Sequence, residues 1–420
     1  VKVKIRILMI VAAVVIVSVV TIAHAQSSFE AEPVLQAKDL VAVELLKGPH
    51  FTVDSRVPVK GFLARFTIRS DYGTFNANGI HMLQVRVREV AGLAQLDQMS
   101  KSKEFAEAAA QAVARPVTSA VHMVVNPVET VEGIPGGVTR LFGRIELGAK
   151  SIASAATAPA QSGEQQVANV TERVGTITAD ALGYEKERRD LAKSLGVDPY
   201  TTNPVLAKKL DDMARIAFSG RLVIQTAMTV LVPGSTAMSA VSITNSSIYD
   251  TPAGDLINSS QAIFKATGAS AADVAALMKN PQYSVSLLTD LALGVRRLQG
   301  VNGVTSVVPF AAAARTQDET RFVTGAINML ARYHESTERL TLVTAPGPIV
   351  GRGTSGRLVV AAPVDYVAWT QRAAQFADRE DLKAPDRLIW LSGQMDRRGH
   401  QEASARGWTV YESFTIAAER

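Results

Sequence analysis

The sequence predicts a mainly α-helical protein with a short β-containing N-terminal unit and a small C-terminal α/β unit, a parallel βαβαβ sheet. Three observations carry this. Apolar residues recur at spacings of three and four from Ile80 onward and again through 204–337, the period of an amphipathic helix. Two short runs before residue 75 alternate apolar and polar side chains, as half-buried strands do. After residue 339, strand-like and helix-like runs alternate, the pattern of parallel strands joined by right-handed crossovers.

In chain order, residues 1–25 read as an export signal. Lys2, Lys4 and Arg6 precede an apolar stretch from Ile7, and Ala23-His24-Ala25 supplies a small-x-small cleavage pattern. Residues 26–78 are a leader followed by a hairpin-like unit, with HFTVDSRV and FLARFTIRS (Phe62 to Ser70) as strands and Gly48-Pro49 and Asp71-Tyr72-Gly73 as turns.

Residues 79–150 form an amphipathic helical region. Ile80, Leu83, Val87, Val90 and Ala94 make one apolar stripe, with Arg86, Arg88 and Glu89 on the wet side. Asn126-Pro127-Val128-Glu129 reads as a capped helix start. Residues 151–175, rich in Ala, Ser, Thr and Gln, read as a linker or exposed helix.

Residues 176–338 form a helical domain. Asn203-Pro204 is another cap-then-proline start, and Ser270 with Asp273 reads as a helix cap. Breaks fall at Pro233-Gly234, Thr251-Pro252, Gly268, Asn280-Pro281 and Asn302-Gly303. Residues 339–420 form the α/β domain: strands at Leu340 to Thr344, Arg357 to Ala362, Arg387 to Leu391 and Trp408 to Phe414, with helices over 364–378 and 394–405. All three tryptophans lie in this last unit, which suggests an aromatic core of its own.

Composition narrows function. The formal charge is +5, and Lys2, Lys4 and Arg6 supply three of those charges, leaving +2 for the remainder. No long Lys/Arg run occurs, which argues against nucleic acid as a partner. Cysteine is absent, which excludes disulfides, thiolate metal sites and cysteine nucleophiles.

Short motifs are weak. GRGTSG, Gly351 to Gly356, fits the dinucleotide pattern in letters, but a strand rather than a helix follows it, so a glycine-rich connection is the better reading. Ser100 and Lys103 fit S-x-x-K without the partner motifs of serine acyl enzymes. His334 and Glu338 share a helix face at i, i+4, better read as a surface ion pair than a metal site. No cofactor or metal site is expected.

The candidate catalytic set is positional, because ligands of an open parallel sheet lie beyond its C-terminal strand ends. Asp365 would act as acid, Ser392 as nucleophile or anion donor and His400 as base, with Asp396 orienting His400 from four residues away. A purely structural role, with Ser392 capping the following helix, competes with it. The leading expectation is an exported envelope protein, periplasmic or secreted, that binds an unknown protein or small-molecule ligand through its helical body without catalysis. Retention of the signal as a membrane tether is the minor alternative to its cleavage. A hydrolase or anion-binding site at the C-terminal unit is the second reading, and peripheral membrane contact through residues 116–145 the third.

Overall fold

A computed structural model describes residues 29–113, 138–143, 179–220, 246–345 and 347–412. The expected signal (1–25), the linker (151–175), the helix start at Asn126, the break at Pro233-Gly234 and most of 116–145 lie outside the described residues.

The protein is mainly helical, with strands gathered at its two ends. The N-terminal strands are β1 (Val34–Gln36), β2 (Lys47–Gly48), β3 (Phe51–Val53), β4 (Arg56–Lys60), β5 (Leu63–Ser70) and β6 (Gly73–Asn78). They form one antiparallel sheet around β5, which pairs with β3, β4 and β6. The alternation expected of Phe62 to Ser70 is real: Ala64, Phe66 and Ile68 are buried, and Arg65, Thr67 and Arg69 lie on the wetter face.

Helix α1 (Ile80–Ser100) leaves β6 through Gly79, whose φ of 97° suits glycine. Leu83, Val87 and Val90 of its apolar stripe pack against Phe66 and Ile68 of the sheet. Farther along, Leu93 and Leu96 meet Leu191, Leu206 and Leu210. The expected wet side needs one correction. Glu89 is buried at 2% exposure. It accepts hydrogen bonds from Arg86 at 2.6 Å, from the Asn203 side chain at 3.0 Å and from the Thr201 hydroxyl. A carboxylate satisfied by three donors tolerates a position that periodicity assigns to solvent.

The helical body continues with α2 (Lys103–Val113), α3 (Ala179–Leu195), α4 (Pro204–Gly220), α5 (Ser247–Asp250), α6 (Ala253–Ala266), α7 (Ala271–Lys279), α8 (Val285–Arg297), α9 (Val307–Ala312) and α10 (Gln317–Ser336). Two of its caps are the expected ones, and Ser284 and Thr316 cap α8 and α10 besides. Asn203 Oδ1 accepts the amides of Val205 and Leu206, and Ser270 Oγ that of Asp273. The breaks at Thr251-Pro252, Gly268, Asn280-Pro281 and Asn302-Gly303 all fall between helices.

The C-terminal sheet has the order β13-β11-β9-β8-β7, with β7 (Leu340–Thr344), β8 (Val350–Gly353), β9 (Leu358–Ala362), β11 (Arg387–Leu391) and β13 (Trp408–Tyr411). Strands β9, β11 and β13 are parallel, as expected, while β7 and β8 add an antiparallel extension. The sheet is therefore mixed.

Both crossover helices start later than their sequence suggests. Helix α11 runs Gln371–Ala377, capped by Thr370, and α12 runs Arg397–Ala405, capped by Asp396. The residues ahead of them are extended and form a two-residue parallel pair, β10 (Tyr366–Val367) with β12 (Gln394–Met395). Contacts across the molecule hold this segment straight: Asp365 and Tyr366 both donate their backbone amides to Phe62 O.

One apolar core joins this sheet to the helical body. It contains Val359 and Ile389 of the strands, Phe322 and Leu330 of α10, and Phe62 from the N-terminal unit. The tryptophans share in it. Trp390 packs edge-on to Tyr333 of α10, and Trp408 stacks on Phe376, whose ring meets Phe142. The aromatic cluster is thus common to both parts.

Candidate functional site

The four residues singled out at the strand ends lie near one another, but each side chain is engaged separately. Asp365, 8% exposed, accepts the backbone amides of Ala64 at 2.8 Å and Ile80 at 3.0 Å. Burial pushes its pKa up to about 6 against the opposing pull of those two amides. Ser392 donates its hydroxyl to Val364 O at 2.8 Å. It does not cap α12, because two residues of strand intervene and Asp396 reaches the Gly399 amide at 2.5 Å instead.

The other oxygen of Asp396 accepts the Trp369 amide at 3.3 Å, beside Glu30, which accepts it at 2.8 Å. Burial, and then the neighbouring Asp396, raise the pKa of Glu30. His400 pairs through Nε2 with Glu412 at 2.7 Å. The carboxylate that orients this imidazole is therefore Glu412, not Asp396. The cap consumes Asp396, and Glu412 follows the last strand directly alongside α12. In this arrangement Asp365 and Asp396 bind main-chain amides, while His400 and Glu412 form a half-exposed pair.

The weaker motifs resolve as structure. GRGTSG is the end of β8 and the turn into β9, an antiparallel connection. Ser100 bonds to Asp97 O, and Lys103 faces Glu107 at 3.8 Å. His334 accepts the Leu340 amide at 2.9 Å, and Glu338 bonds to Tyr333, Thr354 and the Ser355 amide. The expected His334–Glu338 pair gives way to separate anchors for the chain entering β7. Among the described residues no group of three His, Cys, Asp or Glu side chains is placed to hold a metal ion. Among them no helix is long and apolar enough to cross a membrane.

The helical body carries a concave feature that sequence reasoning missed. A groove of about 590 Å³ lies between the C-terminal halves of α6 and α8 and the 299–305 loop. Ala262, Ile263 and Ala266 provide its apolar surface, with buried Val295, Val301 and Val304 beneath, and Arg296, Gln299 and Asn302 its polar edge. Among the described residues, those three polar side chains make no hydrogen bond or ion pair. Arg296 lies in the last turn of α8, where the helix dipole favours a cation.

The loop holds its shape through local chemistry. Gly303 has φ 75°, and a Cβ there would meet Val343 O at 2.6 Å. The Thr305 hydroxyl donates to Thr267 O at 2.6 Å, and Asn302 O accepts the Val343 amide at 2.8 Å. The breaks at Gly268 and Asn302-Gly303 mark both sides of this groove in the sequence, but nothing local says that they face each other.

No protein-family model, curated protein or solved structure matches the chain.

Proposed function

We propose that this is an exported, non-enzymatic binding protein whose helical body takes a small amphipathic organic anion in the groove between α6 and α8. The observation that carries this reading is the juxtaposition of an apolar surface with a guanidinium, Arg296, that has no carboxylate partner among the described residues. Pockets that bind small molecules are largely apolar with a few placed polar groups. This groove sets placed polar groups beside apolar ones in nearly equal measure, and its volume falls in the usual range. The apolar part of a ligand would cover Ala262 and Ile263, and its acidic head would meet Arg296 and Gln299. The export half of the proposal rests on the basic residues, apolar stretch and Ala-His-Ala pattern of residues 1–25.

The test is calorimetric titration of the chain lacking residues 1–25 with sodium decanoate. Arg296→Gln is expected to weaken binding about tenfold, by removing a charge-assisted contact. Ala266→Trp, at an exposed position on the groove wall, is expected to abolish it by occupying the space. Decanoate binding that is equal in wild type and Ala266→Trp, with near-UV circular dichroism unchanged, would overturn the assignment.

A further inference from the structure

The chain contains two Asn-Gly pairs, Asn78-Gly79 and Asn302-Gly303. Asparagine before glycine is prone to deamidation, because a following residue without Cβ leaves its amide nitrogen free to reach the asparagine side chain. The reaction needs an amide N–H that solvent base can remove and a side-chain carboxamide free to turn towards it.

The structure separates the two pairs. At the first, the Gly79 amide donates to Ala64 O at 2.8 Å, and the Asn78 side chain donates to Asp318 at 3.0 Å. Nucleophile and electrophile are both tied down there. At the second, Asn302 and Gly303 are both exposed. Among the described residues, neither the Asn302 side chain nor the Gly303 amide makes a hydrogen bond.

The surroundings of the second pair favour the chemistry. Asn302 O accepts the Val343 amide at 2.8 Å. That bond draws electron density from the peptide unit that holds the Gly303 nitrogen, which makes its proton more acidic. Among the described residues no carboxylate lines the groove, while Arg296 does. A cation without competing anions stabilises both the deprotonated nitrogen and the oxyanion formed when it attacks.

We propose that Asn302 is a self-modification site, where deamidation yields aspartate and isoaspartate and closes the groove to anions. Base removes the Gly303 amide proton, and the nitrogen attacks Asn302 Cγ. The Cγ–Nδ2 bond breaks, and the amine takes a proton from water and leaves as ammonia. Water then opens the succinimide at either carbonyl, so the net change is one water consumed and one ammonia released. Either product puts a carboxylate on the polar edge that holds Arg296, where it repels an acidic ligand. The isoaspartate also lengthens the main chain by one methylene. The loop has little room for it, since even a Cβ on Gly303 would meet Val343 O at 2.6 Å. The loss of anion binding rests on the groove reading, whereas the modification itself does not.

The chain lacking residues 1–25 would be aged at mildly alkaline pH, folded and in urea, then digested for peptide mass mapping. In urea both Asn-Gly peptides are expected to gain about 1 Da at similar rates. In the folded protein the Asn302 peptide should convert about tenfold faster than the Asn78 peptide, whose bonds must first open. Fully aged protein and fresh Asn302→Asp should each bind decanoate about tenfold more weakly than fresh wild type. Asn302→Gln, whose ring closure would be six-membered and slow, should keep its mass and its affinity through the same incubation. An Asn302 peptide that keeps its mass in the folded protein while the urea sample converts would overturn the proposal. So would conversion that leaves decanoate affinity unchanged. If fresh wild type binds no decanoate, the groove reading falls, and mass alone still decides the conversion of Asn302.

Discussion

The carboxylate of Asp365 accepts the backbone amide of Ile80, the first residue of α1, and with its other oxygen the amide of Ala64 in β5. One side chain from the C-terminal unit thereby satisfies an amide at the start of the longest described helix and ties the N-terminal sheet to the core. Its position after a parallel strand suggests a catalytic acid, and its two bonds make it a structural clasp.

Asp365→Ala strands two amides at once and is expected to cost about 2–4 kcal/mol. The pH dependence follows from the raised pKa. The folded protein binds the Asp365 proton more tightly than the unfolded chain does, so this group's contribution is full below about pH 4. It is lost as pH rises through about 6. Wild type should lose on the order of 3 kcal/mol relative to Asp365→Asn between pH 4 and pH 7. Urea unfolding of both proteins across that range checks this, and parallel curves would refute the clasp's titration.

Glu89 joins α1 to the start of α4 through Asn203, which also caps α4. Glu89→Ala leaves Arg86, which is only 12% exposed, without its carboxylate, at an expected cost of about 3–5 kcal/mol. Asn203→Ala removes a cap worth about 1 kcal/mol together with its bond to Glu89. Because the two residues share one network, the double variant should cost less than the sum of the singles. Additive thermal unfolding data would show that they act independently.

Arg140 makes two bonds to Glu319, at 2.8 and 2.7 Å, and a third to Ala313 O. Glu319 is 1% exposed and also accepts the Arg315 amide. Arg140→Met leaves a buried carboxylate without its cation and is expected to cost about 3 kcal/mol. The loss should appear first as local opening of residues 138–143, read as faster amide exchange at Leu141. Unchanged exchange there would mean that packing of Leu141 and Phe142 holds the segment without the ion pair.

Much of the secondary structure is legible in the sequence, because its causes are local. Ser270 caps α7 by reaching an amide three residues ahead, and Asn203-Pro204 starts α4 for the same reason. Alternation marks β5 because one face of a half-covered strand must be apolar. The misjudged elements are those where distant partners overrule local preference. The segment after Pro363 has helical composition, but Phe62 O holds it extended. Glu89 falls on the polar side of α1 by periodicity, but donors from the 201–203 turn receive it. The candidate site was legible only as a position in a topology. The four residues are close in sequence and near in space, yet the partners that occupy Asp365, Ala64 and Ile80, belong to the other end of the chain.

The sequence by itself determined the class of the fold, its helix starts and stops, the absence of disulfides and the near balance of its charge. These depend on residue type and on spacings within one or two turns. Tertiary structure alone decided that Asp365 receives the amides of Ala64 and Ile80, that Glu412 rather than Asp396 faces His400, and that Arg296 borders a groove. The physical reason is range. A buried carboxylate takes whichever donor the packed chain brings to it, and for Asp365 that donor lies 301 residues away.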